Sequence, residues 1–389
     1  MRVMQLTTEC PWPPVSGADI RNALVAVAPG VSSMLNVGLV PPIAGSTPTA
    51  YCHVPCFGDS NPWRCIDPAV PTCLRFSASA LAAIDAVIAD FRPDAVVAEG
   101  VVWRDVIMRL RHAGVPTAVD MHNVESRLLA EQSAARPWWR RLMAGGSTRA
   151  LVSACEQADA ATSRLANQTW LCSDDDAAVL RSLGGRADAV IRNPIPDESV
   201  LELPLDTDRY ANPAPLFIGH LGYGPNIAAV GELAGPVVAA LARCGLRIQP
   251  TVAGRAPRRG IERLARAAAI RLVANPASTL ELSRQHGYTV LPIRSGGGTR
   301  IKAVEALAAG LVVIATRKAV EGLGLVPGVQ YTAAETPAEM AHALTQFVAR
   351  PASAVAMAAA GRQFVIEHHS RRAVLATLGT ALARLSRTR

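Results

Sequence analysis

Residues 289–316 contain the pattern that most restricts what this chain can fold into. In order, the segment contains an apolar run, three glycines, a stretch with helical periodicity and a second apolar run, at residues 289–293, 296–298, 299–309 and 312–316. Short apolar runs predict buried strands, and Ile301, Val304 and Ala308 recur at the spacing of one helix face. Two neighbouring parallel strands need a crossover, which is usually a helix. The segment therefore predicts a strand–turn–helix–strand unit of a parallel sheet.

The glycine turn has the features of an anion site. Glycines allow the backbone to approach a ligand, and the free N–H groups of the following helix favour a negative charge. Arg300 and Lys302 place two cations in the predicted first helical turn, where they oppose the helix dipole unless an anion binds. The alternative is a turn without a ligand, in which Lys302 pairs with Glu305 at i, i+3. The sequence favours the anion site, and the alternative stays open.

Strand and helix patterns alternate along the whole chain, which predicts parallel sheets covered by helices on both faces. A segment rich in proline and acidic residues interrupts this alternation near residues 194–215, and a length of 389 residues suits two domains. The predicted fold class is α/β, with two facing Rossmann-like parallel-sheet domains and an interdomain cleft. The predicted parts are an N-terminal domain, a second domain and a C-terminal helix that can pack back on the N-terminal domain, over residues 1–195, 196–365 and 366–389.

The composition excludes some classes of protein. Mean hydropathy is positive, which excludes a disordered chain. The formal charge of +8 suits a phosphate-bearing ligand or an acidic membrane surface, but charge alone decides little. The first residues lack an apolar signal core, and prolines interrupt the apolar region 23–45 before it reaches the length of a membrane span. We therefore expect a cytoplasmic protein that binds no nucleic acid, and we leave open a peripheral contact with the inner membrane surface.

Two groups of potential metal ligands have simpler explanations. Four cysteines lie in one loop-like stretch, residues 52–73, and could hold zinc or form disulfides. No CxxC pair occurs there, so we expect reduced structural thiols. Three aspartates at residues 174–176 follow Ser173, and helix capping with dipole matching explains them at least as well as metal binding does. No metal site is predicted.

Ligands of open parallel sheets bind outside the carboxyl ends of the strands, so the loops at those ends contain the candidate site residues. In the first half these are Gly17, Glu99 and His122, and in the second half they are His220, Gly222, Asn226 and Arg255, followed by the turn at residues 295–305. His122 has polar neighbours on both sides, and this pattern fits a functional histidine as well as a structural one. Residues 222–227 partly match the dinucleotide fingerprint GxGxxG. The third glycine is absent and no acidic residue ends the next strand, so a dehydrogenase is disfavoured.

Together these motifs resemble the nucleotide-sugar glycosyltransferases of the GT-B fold. The chain is most similar to the large retaining family 4, and within it to bacterial members that contain a GGGTRIKxxEA segment. The matching pieces are Gly17, residues 120–125, 192–194, 217–226, 292–316 and 321–323. They span nearly the whole chain in the order that this family has.

The resemblance implies transfer of a sugar from a nucleotide diphosphate-sugar donor to an acceptor hydroxyl, with retention of anomeric configuration. It implies no metal or other cofactor. Glu305 matches the second glutamate of the family's E-x7-E motif, which holds the donor ribose. Gly297 stands where the family has the first glutamate, so backbone N–H groups would take over its contacts with the sugar. His122 matches the family's histidine near the transferred sugar.

The implied site residues fall into two sets. The catalytic set is His122, Arg300 and Lys302. The donor-binding set is Gly17, His220, Gly222, Asn226, Arg255, Gly297, Gly298, Thr299, Arg300, Lys302 and Glu305. The family's usual cations in the first phosphate loop are replaced here, so Arg300 or Lys302 would supply the missing positive charge.

Two alternatives to a glycosyltransferase stay open. The first is a nucleotide-sugar epimerase or hydrolase of the same fold. The second is a catalytically silent partner that binds a nucleotide or a glycan, which the missing first glutamate and the altered phosphate loop would favour. The acceptor is also open among a glycan, a lipid-linked carrier and a small natural product.

Overall fold

The computed structural model describes residues 1–14, 17–42, 49–55, 65–134, 138–267, 269–296 and 300–388, and for residues 138–147 it describes the helix backbone only. The described chain forms two compact units. Unit 1 contains Met1–Pro194 and the C-terminal segment that starts at Arg371, whereas unit 2 contains Ile195–Gly296 and Arg300–Ser370. Each unit has its own buried core.

Unit 1 is built on one parallel sheet. Its strands are β1 (Arg2–Thr7), β2 (Ser33–Gly38), β3 (Ala50–His53), β4 (Ala95–Glu99), β5 (Thr117–Met121), β6 (Gln168–Leu171) and β7 (Ala189–Val190). Their order in the sheet is β3-β2-β1-β4-β5-β6-β7, and every paired neighbour is parallel. The register places Glu99 directly beside Asp120 at the carboxyl ends of β4 and β5. The sheet therefore brings residues that are distant in sequence to one edge.

The helices that connect these strands are α1 (Gly17–Val25), α2 (Ala78–Phe91), α3 (Arg104–His112), α4 (Glu125–Ala134), α5 (Trp138–Leu165) and α6 (Asp174–Ser182). Ser173 caps α6 by accepting a hydrogen bond from the Asp176 backbone N–H at 3.1 Å, with three aspartates in the first turn. This contact agrees with the capping interpretation of the triplet. The sequence pattern places the start of α2 at Leu74, but Leu74 bridges Ile66 instead, and Ser77 caps the helix.

Unit 2 repeats the strand–helix alternation. Its strands are β8 (Leu216–Ile218), β9 (Thr251–Gly254), β10 (Arg271–Ala274), β11 (Tyr288–Leu291), β12 (Val312–Ala315) and β13 (Thr332–Ala333). They form two parallel three-stranded sheets, β10-β9-β8 and β11-β12-β13. Residues of β8 and β11 line one small cavity, so these two strands lie side by side. The resulting order is that of a doubly wound fold. The sequence predicts a strand over residues 246–253. In the structure β9 begins only at Thr251, because β8 and β10 pair with the chain from that residue onward.

The helices of unit 2 are α7 (Gly224–Glu232), α8 (Val238–Arg243), α9 (Arg259–Arg266), α10 (Leu280–Gln285), α11 (Ile301–Ala308), α12 (Pro337–Ala349) and α13 (Pro351–His369). A π-helical turn, Leu233–Val237, joins α7 to α8 at Pro236, which has no N–H to donate to the helix ladder. The combined segment Gly224–Arg243 is the one described helix with the length and hydropathy of a membrane span. Leu233, Val237 and Leu241 are completely buried in the core of unit 2, which accounts for its apolar character.

The last helix, α14 (Arg371–Leu385), belongs to unit 1. Its buried side chains Val374, Leu378 and Leu382 pack in the same cluster as Val3 of β1 and Leu24 of α1. The chain thus returns to its first domain after completing the second.

Candidate functional site

The carboxyl ends of the unit 2 strands carry the loops that the sequence singles out. The loop after β8 and the loop after β9 are joined by a hydrogen bond from the Leu221 N–H to the Arg255 carbonyl oxygen at 2.9 Å. Gly254 makes this approach possible, because a Cβ there would lie 1.7 Å from the Gly219 carbonyl oxygen. The two loops are therefore in direct contact, and glycine is required at the point where they meet.

His220, Gly222 and Asn226 shape the loop after β8. The buried Asn226 side chain donates a hydrogen bond through Nδ2 to the His220 carbonyl oxygen at 2.9 Å, which holds the loop against α7. A Cβ on Gly222 would lie 3.0 Å from His220 Nε2, so the exposed imidazole packs closely over this glycine. The side chain of Arg255 is exposed and has no hydrogen bond within the described residues. Asn226 thus supports the loop, whereas His220 and Arg255 are accessible to a ligand.

Lys302 is the unusual cation of this edge. It lies half-buried in the first turn of α11, and its Cε is 3.5 Å from the position that a Cβ on Gly219 would occupy. No residue in the described part of the chain forms a hydrogen bond or an ion pair with its ammonium group. Burial, and then the charge of Arg300, lower the pKa of Lys302 to about 8, and Glu305 only partly opposes this shift. A buried cation without a partner is costly unless a ligand compensates it.

Glu305 faces the same space from the next turn of α11. Its Oε1 accepts a hydrogen bond from the Thr279 hydroxyl at 3.0 Å, and burial raises the pKa of the carboxyl. A cavity of about 10 Å³ beneath α11 is lined by Lys302 and Glu305 together with Ile218 and Thr289, and it is large enough for one water molecule. Lys302 and Glu305 form no ion pair, so the ligand-free alternative of an i, i+3 pair is not what the structure shows.

The Arg300 side chain has partners within the fold. The side chain is 8% exposed, and its Nη2 donates to the Gly296 carbonyl oxygen at 2.7 Å and to Glu321 Oε2 at 3.0 Å. Lys318 Nζ lies 2.6 Å from the same carboxylate oxygen. Arg300 is therefore bound to Gly296, and sequence reasoning did not identify Glu321, which lies in the matching segment 321–323, as its partner. A direct contact between Arg300 and a ligand stays a prediction.

Four further predicted residues complete the donor-binding set. Gly297, Gly298 and Thr299 lie outside the described residues, so the proposed role of their backbone N–H groups stays a prediction. Gly17 is the first residue of α1 in unit 1.

In unit 1, His122 lies at the carboxyl end of β5 between two carboxylates. Its Nδ1 is 3.6 Å from Glu99 Oε1, and its Nε2 is 3.6 Å from Asp120 Oδ2. Asp120 in turn forms a buried, two-pronged ion pair with Arg21 of α1, in which Arg21 Nε donates to Asp120 Oδ2 at 2.8 Å. Burial opposes the charge of Asp120, but Arg21 outweighs burial and holds the pKa of that carboxyl well below its usual range.

Two more acids lie close by: the half-buried Glu125 is near His122, and the buried Asp159 is near Glu125. Burial raises the pKa of Glu125 to about 7 and that of Asp159 to about 6. Asn123 Nδ2 donates to Glu125 Oε1 at 3.3 Å, and the Ser126 N–H donates to Asp159 Oδ2 at 2.9 Å. Sequence reasoning did not identify Asp159 or Arg21. The one available signal was a charged residue, Arg21, on the apolar face of α1.

Metal ligation finds no support in the side chains that can be described. Within those ranges of the chain, no three His, Cys, Asp or Glu side chains come together in a way that could hold a metal ion. Cys65 and Cys73 are buried free thiols, and Cys52 is a half-buried one. Cys56 lies outside the described residues.

Comparison with known proteins then defines the fold. Residues 236–379, which include α11, match a family model described as glycosyl transferase-like. No curated protein matches the sequence. Solved structures match over the whole length, three of which are described below, and the fold class is thereby confirmed. The chain has the GT-B fold.

The first of these structures is sucrose-phosphate synthase from Thermosynechococcus elongatus, with a TM-score of 0.67, 17% identity and 100% coverage of both chains. The second is HepE of Anabaena in complex with UDP-glucose, with a TM-score of 0.66, 13% identity and coverage of 99% of this chain and 100% of that one. A glycosyltransferase from Rickettsia africae has a TM-score of 0.63, 12% identity and coverage of 100% and 98%. At these identities the likeness concerns the fold.

Proposed function

We propose that this protein is a glycosyltransferase of the retaining family 4 type, which moves a sugar from a nucleotide diphosphate-sugar donor to an acceptor hydroxyl. The observation that carries the proposal is the partly buried, unpaired ammonium group of Lys302 beside Glu305. Both residues lie within the segment that matches the glycosyl transferase-like model. The Anabaena protein of the same fold, solved with UDP-glucose, supports a nucleotide sugar as the donor.

The chemistry required at this edge is stabilisation of a leaving diphosphate. Negative charge develops on the phosphates as the bond to the sugar breaks, and fixed cations aimed at them lower the barrier. In this proposal Lys302 neutralises the diphosphate, together with the N–H groups at the start of α11 and the exposed Arg255. Arg300 acts indirectly in this proposal, because its hydrogen bond to the Gly296 carbonyl oxygen positions the first residue of the glycine turn.

In this proposal Glu305 binds the ribose of the donor. Thr279 occupies one carboxylate oxygen, and the other oxygen can accept hydrogen bonds from the ribose hydroxyls. His122 of unit 1 would contact the transferred sugar. The proposal involves no metal ion and locates transfer in the cytoplasm, and it predicts that a chelator leaves the rate unchanged.

The decisive experiment begins with binding of nucleoside diphosphates, measured by thermal shift, and continues with transfer from the matching nucleotide sugars. Lys302→Met should lower affinity for the nucleoside diphosphate at least about tenfold, because a charge-assisted contact contributes roughly 1.5–3 kcal/mol. Arg243→Met is the matched control, since Arg243 is an exposed cation at the far end of α8. Undiminished turnover in Lys302→Met would refute the assignment.

The same samples separate the remaining functions. Donor consumed without an acceptor indicates an epimerase or hydrolase, and nucleotide binding without turnover indicates a silent partner. The anomeric proton coupling of the product, measured by NMR, tests retention of configuration.

A further inference from the structure

Three neighbouring strands of unit 1 bring the Glu99 carboxylate close to His122. Thr8 follows β1, Glu99 ends β4 and His122 follows β5, and these strands are adjacent in the sheet. Glu99 Oε2 accepts hydrogen bonds from the Thr8 N–H at 2.8 Å and from the Thr8 hydroxyl at 3.1 Å. Its other oxygen, Oε1, is the one near His122 Nδ1. Thr8 therefore holds the Glu99 carboxylate in the orientation in which it faces the imidazole.

The two carboxylates beside His122 are not equivalent. Asp120 is paired with Arg21 through both of its oxygens, so its charge is already balanced. Glu99 has no arginine or lysine partner in the described part of the chain, and His122 is the one group there that can balance it. The side chains of His122 and Glu99 are 13% and 18% exposed, so water screens this charge poorly. The cluster of Arg21, Asp120, Glu99 and His122 is electrically neutral only when His122 carries a proton on both nitrogens.

We propose that Glu99 is a positioning residue, which keeps His122 as an imidazolium and fixes the direction of its ring. An imidazolium donates hydrogen bonds from both nitrogens, whereas neutral histidine donates from one and accepts at the other. The consequence for catalysis rests on the proposed sugar transfer, in which a cationic His122 contacts the transferred sugar. The effect of Glu99 on the protonation of His122 needs no ligand, so it can be measured in the free protein.

The surrounding charges agree with this assignment. Burial by itself disfavours the imidazolium, but Asp120 and then Glu99 outweigh burial and raise the pKa of His122 above its ordinary value. Arg21 on α1 opposes them. Glu125 on α4 also faces the cluster, and its raised pKa makes it a weaker source of negative charge near neutral pH.

The test is an NMR titration of the His122 imidazole in the free, full-length protein. Loss of one signal in His122→Asn identifies the resonance among the eight histidines. In Glu99→Gln, which keeps an oxygen to accept from Thr8, we expect the pKa of His122 to fall by about 1 unit or more. Glu125→Gln should lower it less, and Glu99→Asp, which keeps the charge, should restore most of the value.

A second measurement connects the pKa of His122 to the proposed sugar transfer. In the transfer assay, the alkaline limb of the kcat/KM profile should move to lower pH in Glu99→Gln by the same amount as the NMR titration. An unchanged His122 titration overturns the proposal. A shifted titration with an unmoved kcat/KM profile overturns its catalytic consequence. If no transfer occurs with any donor, the proposed function fails, while the NMR titration still decides whether Glu99 controls His122.

Discussion

The charged side chains at the carboxyl ends of the strands differ between unit 1 and unit 2: those of unit 1 are paired, whereas Lys302 of unit 2 is not. At the edge of unit 1, Arg21 pairs with Asp120, and Glu99 faces His122, so each charge has a partner within the fold. At the edge of unit 2, the half-buried Lys302 has no ion-pair partner in the described residues, and its pKa is depressed to about 8. A fold gains nothing from an uncompensated buried charge. The charges of unit 1 therefore contribute to the fold, whereas the unpaired Lys302 agrees with the proposal that this side chain binds an anionic ligand.

The largest expected effect comes from removing one member of the Arg21–Asp120 ion pair in unit 1. Arg21→Met removes the partner of buried Asp120 and should lower the free energy of unfolding by about 3–5 kcal/mol, because it leaves a carboxylate uncompensated. Urea unfolding monitored by circular dichroism measures the loss. Adding Asp120→Asn to Arg21→Met should recover part of it.

Lys302→Met provides the contrasting measurement for stability. Removing an unpaired buried cation should leave the free energy of unfolding unchanged within about 1 kcal/mol or raise it. If Lys302→Met destabilises the protein as much as Arg21→Met does, the two edges do not differ in the way described, and Lys302 is a structural residue.

A smaller effect follows from the depressed pKa of Lys302. Above about pH 8 the ammonium of the free protein loses its proton, so affinity for a nucleoside diphosphate should fall as pH rises through this value. Between pH 7 and pH 9.5 we expect a loss of about tenfold, which corresponds to about 1.4 kcal/mol. Isothermal titration calorimetry measures it.

Lys302→Arg is the control, because arginine stays charged across this range and should flatten the dependence. An equally steep fall in Lys302→Arg would show that another group, such as His220, titrates instead.

The smallest effect concerns the acids behind His122. The pKa of Glu125 is raised to about 7 in the folded protein, so the folded state binds a proton more tightly than the unfolded chain. This contribution to stability is present below the unfolded pKa and is lost as pH rises through about 7. Unfolding should therefore cost about 1 kcal/mol more at pH 6 than at pH 7.5, and Glu125→Gln should remove this difference. A pH dependence that is the same in Glu125→Gln would assign it to Asp159 or another group.

Much of the local structure could be predicted from sequence. The strand–glycine–helix–strand pattern around α11 is observed with small shifts at its ends, because apolar spacing and glycines report directly on local backbone preference. The predicted start of α2 at Leu74 was wrong. An alanine-rich pattern cannot show that Leu74 forms a β-bridge with Ile66 or that Ser77 caps the helix. The roles of the predicted site residues stay predictions.

The sequence by itself determined the order of strands and helices, the parallel α/β class and the presence of two cations at the start of α11. These follow from residue spacing over a few turns, where local periodicity is sufficient. Only the tertiary structure decided that Arg300 is bound to Glu321 while Lys302 is unpaired. It also joined Arg21 to Asp120 across 99 residues. The physical reason is that a charge acts according to its burial and its neighbours in space, and both depend on contacts that no short stretch of sequence contains.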